Sequence, residues 1–151
     1  MSSIKNFSML KKCLSFPELT KEFLTKYLTK DIIQLINLNT LKFYKNNDEF
    51  QEIIYFSKQQ NNGVNSTYVL IQYLPKLDFI VPLKACLSVE RIIKEHMINN
   101  NDPNYPRVCV CGFYNGDEND PKRKNCIDIH ESIINNIEFA REILFKTHLL
   151  H

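Results

Sequence analysis

Glycine and alanine are nearly missing from this 151-residue chain, with three of one and two of the other against 17 asparagines, 17 isoleucines and 15 lysines. That bias points to an AT-rich genome more than to any function. Neither G-x-G-x-x-G nor G-x-x-x-x-G-K-[ST] occurs, so a nucleotide-binding fold has no support. No run of about eighteen apolar residues occurs, which argues against a membrane-spanning helix. The opening segment, MSSIKNFSMLKKCLSF, lacks the apolar stretch of a secretory signal, and the location expected on that ground is the cytoplasm. Cysteine is present in an odd number, five, in a chain long enough to fold without staples; reduced thiols fit better than a disulfide framework.

What is there describes one ordinary domain. Hydrophobic residues make up 44% and charged residues 24%, enough apolar mass for a single core spanning residues 1–151. A net charge of +2 is too small to argue for nucleic acid by itself. The pattern along the chain predicts an α/β (α+β) fold. Ser15-Phe16-Pro17-Glu18 has the form of a capping box with a first-turn proline. Leu19, Phe23, Tyr27 and Leu28 then recur at helical spacing, and a second helical piece runs from Asp31 through Ile36. Leu41–Tyr44 reads as a short strand. Phe50–Ser57 and Thr67–Leu74 are rich in β-branched and aromatic residues, and the polar segment Gln59–Asn65, with Gly63, suits a hairpin connection between them. Leu83, Cys86, Leu87, Ile93 and Met97 mark a helix ending in the Asn99–Asn101 run. Arg107–Tyr114 is a further strand, and Ile133, Ile137, Ala140 and Leu144 mark a last helix. The two central strands should be antiparallel neighbours, with Arg107–Tyr114 in the same sheet and the long helix crossing one face.

These words in this order resemble a known family. Phe16–Leu41, FPELTKEFLTKYLTKDIIQLINLNTL, is similar to opening helices that start at Pro-Glu and end in an LNLDTL-like turn. Glu52-Ile53-Ile54-Tyr55 falls where Asp-Leu-Leu-Tyr is typical, and Tyr68–Leu74 falls on a strand that usually runs into Glu-His-Gln. Phe79–His96 resembles the long helix that follows, Val108–Gly116 the strand closing in Tyr-Asn-Gly, and Ile127–Leu150 the segment carrying ELAREIL and FHLI. The chain thus resembles the Rpn or YhgA-like transposases, recombination-promoting nucleases of the PD-(D/E)XK superfamily. That resemblance implies a nuclease-like core with a central mixed sheet flanked by helices, DNA as partner and Mg2+ as cofactor. It also implies a His-Asp pair before the first helix, near Asn6-Phe7, where this chain has none, and a continuation past His151, so a shortened and divergent copy is expected.

The chemistry says which positions matter. Hydrolysis of a phosphodiester uses a hard cation to polarise a phosphate oxygen and to help form hydroxide. Two carboxylates on adjacent strands can hold that ion, and a lysine or glutamine two residues after the second shares its strand face. By the resemblance, the catalytic positions are Glu52, Gln72 and Leu74, with Glu52 and Gln72 as the metal ligands. Glu52 keeps a charge. Gln72 brings none, and Leu74 can neither orient water nor bind phosphate. Hydrolysis is therefore expected to be weak or lost. Glu52 and Gln72 are expected to face each other across neighbouring strands, close enough to share a cation and open to a groove. The plainer reading makes the three a surface charge, a satisfied amide and a core residue.

Other groupings carry less. Cys109 and Cys111 alternate onto one strand face, and Cys126 and His130 have C-x3-H spacing, but the combined pattern is not a strong zinc signature and the strand reads as packing. A cysteine nucleophile with His96 or His130 has nothing to fix its geometry. Lys122-Arg123-Lys124 shares its loop with Asp117, Glu118 and Asp120, which suits a solvated, self-neutralising segment. Two classes stay open: a nuclease with residual magnesium-dependent cleavage, and a non-catalytic protein that binds DNA, forms a homodimer or pairs with a full-length relative. No membrane partner is expected.

Overall fold

The computed structural model describes residues 3–28, 30–58, 66–76, 80–101 and 103–114. The elements run α1 (Ser3–Cys13), α2 (Pro17–Tyr27), α3 (Lys30–Ile33), a 3-10 turn (Leu38–Thr40), β1 (Lys42–Asn47), β2 (Glu52–Lys58), β3 (Ser66–Leu74), α4 (Ile80–Asn100) and β4 (Arg107–Tyr114). The four strands form one mixed sheet in the order β1-β2-β3-β4. The first three form an antiparallel meander, and β4 pairs with β3 in parallel. A parallel neighbour needs a crossover, and α4 supplies it. The α/β core expected from the sequence is the one present. The connection at Gln59–Asn65, the last helix around Ile133–Leu144, the Lys122-Arg123-Lys124 loop, and Cys126 and His130 lie outside the described residues.

Strand β3 is central and buried along nearly its whole length, which is why STYVLIQYL reads as a continuous apolar run rather than an alternation. Its odd-numbered residues Val69, Ile71 and Tyr73 join Ile53 and Tyr55 of β2 in a core with Phe7, Leu14, Leu24, Ile36 and Leu41. Its even-numbered residues Tyr68 and Leu70 join Ile54 and Ile92 on the opposite face, under α4. The period-two alternation of a strand thus sorts the two faces.

One local expectation is corrected, and one helix is added. The capping box does not form: the N-cap of α2 is Phe16, with φ −95° and ψ 119° and no side-chain cap. A residue before proline is pushed out of the helical region, so Phe16 cannot start the helix and Pro17 takes the first position. Ser15, displaced by one, donates instead to the Lys12 carbonyl at 2.6 Å. The helix α1, not predicted from the sequence, packs Phe7 and Leu14 into the larger core. At its far end α4 stops at Asn101, which adopts φ 46°. Asparagine tolerates that left-handed conformation better than most residues, so the asparagine run ends the helix as expected.

Candidate functional site

Glu52 opens β2 and Gln72 lies near the end of β3, and the antiparallel register sets them directly opposite each other. The turn before Glu52 needs one left-handed residue, Gln51 at φ 55°. The Gln51 carbonyl accepts from the Tyr73 backbone N–H at 2.9 Å, so the ladder extends past Glu52 and holds both side chains in register. Gln72 donates through Nε2 to Glu52 Oε2 at 3.1 Å. An ionised carboxylate only accepts, which fixes the direction of the amide.

The sequence reading missed a third member of this group. Arg91, on α4, donates through Nη2 to Glu52 Oε1 at 3.1 Å. The same Nη2 lies 3.5 Å from Ser88 Oγ, one helical turn earlier. The guanidinium carbon sits 5.4 Å from the centre of the Phe50 ring, a cation–π separation. A signal was available. Ala85, Ser88, Ile92 and His96 form the buried stripe of α4, and Arg91 stands at its edge, three residues after Ser88.

Burial decides how this group behaves. Glu52 has 0% exposure and Gln72 5%, whereas the Arg91 side chain keeps 31%. The two strand residues face each other as expected, but only Gln72 borders a cleft, together with Phe50, Leu74, Lys76 and Lys84. Glu52 is neither a surface charge nor open to a groove. Leu74 is the next residue on the Gln72 face, and it lies against Gly112, which pairs with Gln72 in β4. A Cβ at Gly112 would come within 2.9 Å of Leu74 Cδ1, so the leucine fills space that a larger residue at position 112 would claim. Magnesium takes hard oxygen ligands, with carboxylate charge to offset its own. Of the three positions singled out, only Glu52 carries a carboxylate; it is dry, and Arg91 and Gln72 already hold its two oxygens, while the exposed Glu49 lines the cleft beside Gln72. These residues do not fit the ion.

Further along the same face, Lys45 Nζ meets Glu95 Oε2 at 2.7 Å, with Tyr44 alongside. The Tyr68 hydroxyl lies 2.8 Å from His96 Nδ1, and burial, with Tyr44 and Glu95 nearby, pushes its pKa up to about 12. Cys109 and Cys111 pack against the core on the opposite face of the sheet. The sheet therefore stands between them and His96. Burial also pushes both thiols up, away from the thiolate a nucleophile needs. Among the described residues, no three His, Cys, Asp or Glu side chains come together to hold a metal ion. No helix among them is long and apolar enough to cross a membrane.

No curated protein and no solved structure matches the chain. The model of the family described as "Putative transposase, YhgA-like" matches residues 7–150, nearly the full length. With the mixed sheet, its crossover helix and the facing pair at positions 52 and 72 in place, the chain belongs to the YhgA-like transposase family.

Proposed function

We propose that this protein is a DNA-directed member of its family whose magnesium-dependent phosphodiester hydrolysis is weak or lost, and that it works in the cytoplasm. One observation carries this reading: the single carboxylate at the family's catalytic positions is fully buried and bonded through both oxygens, to Arg91 and to Gln72. A hydrolytic site would need that charge for a cation and a polar helper at position 74. Leucine provides no helper. Electrostatic stabilisation is usually the largest catalytic term, and loss of one donor costs about 10²–10³ in rate in other enzymes. Losing a metal-holding carboxylate should cost at least as much.

DNA remains the proposed partner. Family membership supports it, and the cleft beside Gln72 carries Lys76 and Lys84, with Glu49 the one acid among the described residues that line it, so a phosphate there would meet a net positive lining. Pairing with a second copy or with a full-length relative is the other non-catalytic role that fits. The test is nicking of supercoiled plasmid with magnesium or manganese, run beside Glu52→Ala and beside a band-shift assay with duplex DNA. Little nicking, unchanged by Glu52→Ala, together with a retarded DNA band is the expected result. Strong nicking that Glu52→Ala abolishes would sink the reading. Absence of any DNA shift would leave pairing as the surviving role.

A further inference from the structure

We propose that Arg91 is a built-in cation: its guanidinium neutralises Glu52 in place of a divalent ion, and Gln72 is the matching residue that lets one positive charge suffice. This inference rests on the reading that hydrolysis is weak or lost.

The charges make the case. Glu52 has no contact with water, so its charge needs a partner inside the protein. Arg91 supplies one full positive charge at 3.1 Å, and Gln72 bonds the other oxygen with a neutral N–H at the same distance. The three side chains sum to zero. A glutamate at position 72 would change that sum to minus one and would set two carboxylates side by side on paired strands. Two carboxylates at that spacing call for a divalent ion or a shared proton. Glutamine removes the need for either. The amide also donates where a second carboxylate could only repel, so Gln72 and Arg91 suit each other.

Arginine is chemically fitted to the part. Its planar fork can bond a carboxylate while resting on an aromatic face. Here the Ser88 hydroxyl lies at hydrogen-bond reach of the head and the guanidinium carbon lies over the Phe50 ring. Because Arg91 sits on α4 and Glu52 on β2, the ion pair ties the crossover helix to the sheet at the place where a soluble ion would otherwise bridge strands. The site is thus complete without metal, and its cost is that the carboxylate no longer has a free oxygen to offer.

The test is thermal unfolding of the full chain and its variants, with and without millimolar manganese. The unmodified protein should show no manganese-dependent rise in Tm. Gln72→Glu alone should stay nearly unresponsive, because Arg91 still occupies Glu52. Gln72→Glu with Arg91→Met should lose Tm in the absence of metal and regain part of it with manganese. Arg91→Met alone should lower Tm, and Glu52→Gln with Arg91→Met should recover most of the loss, since removing both charges leaves none stranded. A manganese response in the unmodified protein that Glu52→Ala abolishes would overturn the proposal. So would equal responses from Gln72→Glu with and without Arg91→Met, or strictly additive losses in the Glu52→Gln and Arg91→Met cycle. Should the Gln72→Glu, Arg91→Met protein fail to fold, that cycle decides the matter. A Glu52→Gln, Arg91→Met protein that does not fold while Glu52→Gln does would also overturn it. A protein that neither nicks plasmid nor responds to manganese, yet shows additive losses in the cycle, would refute the role of Arg91 and leave the loss of hydrolysis standing.

Discussion

The two faces of the sheet come from the same strands and solve burial differently. On the face under α1 and α2, the buried polar groups are neutral hydroxyls close to partners: Thr20 lies 2.9 Å from the Tyr55 hydroxyl and also donates to the Leu14 carbonyl, and Ser57 bonds the Asn37 backbone. On the face under α4 two ion pairs, Glu52 with Arg91 and Glu95 with Lys45, stand among the neutral Gln72 and Ser88 and beside the His96–Tyr68 contact. A neutral hydrogen bond inside a core contributes little net stability but is costly to leave unmade, which suits a face concerned only with packing. Ion pairs under a helix rarely add stability over an apolar core of the same shape.

That contrast can be broken by experiment. Ile71 is fully buried on the α1–α2 face, and Ile71→Ala should destabilise by about 4 kcal/mol through lost burial and a residual cavity. Chemical denaturation would measure it, and a loss below about 1 kcal/mol would mean that this core is loosely packed. On the α4 face, Tyr68 gives the fold a sensitivity to alkali. Its pKa is raised to about 12 from an ordinary 10, so the folded state holds the proton more tightly than the unfolded chain does. The associated stability is full below pH about 10 and is lost as pH rises through about 12, an effect of about 3 kcal/mol at most. Comparing Tm for the native protein and Tyr68→Phe at pH about 9 and about 11 isolates it; parallel declines in the two would remove Tyr68 from the explanation.

Smaller effects sharpen the same comparison. Tyr55→Phe leaves the ring in place and removes only its hydroxyl contact with Thr20, so a loss of about 1 kcal/mol is expected in urea unfolding. Thr20 retains the Leu14 carbonyl as partner, which keeps the value low. Lys45→Ala should cost less still, about 0.5 kcal/mol, because the Lys45–Glu95 pair is partly exposed. Its effect should shrink in high salt. A salt-independent loss above about 2 kcal/mol would show that the pair is as dry in solution as Glu52.

The sequence made the sheet legible where β-branched and aromatic residues run together, in the buried β3 and in the less buried β4 alike. Thr67–Leu74 and Arg107–Tyr114 agree with β3 and β4 to within one residue at each end, because β-branched and aromatic runs leave little choice of conformation. β1 extends to Asn47, beyond the expected Tyr44, since an edge strand with exposed lysine and asparagine carries no alternation to read. The Glu52–Gln72 facing was legible from the hairpin, in which the pairing of near neighbours is local. Arg91 was legible only as a residue at the edge of the α4 stripe; that it meets Glu52 depends on how a crossover helix lies over the sheet, and no spacing within one helix reveals that. The left-handed Gln51 was equally hidden, as glutamine carries none of the turn signal of glycine or asparagine.

The parallel pairing of β4 has a consequence in time. Within the meander, Glu52 meets Gln72 twenty positions along the chain, whereas Thr67 meets Arg107 only after forty, with all of α4 between. Closing the longer loop costs more chain entropy before any contact repays it, and such pairings form late in folding. The meander is therefore expected to assemble first and to wait for β4. In native-state hydrogen exchange the β4 amides should be released before those of β2, through a partial opening that leaves the meander intact. Such an opening would bare one edge of β3 to any chain able to offer it a strand.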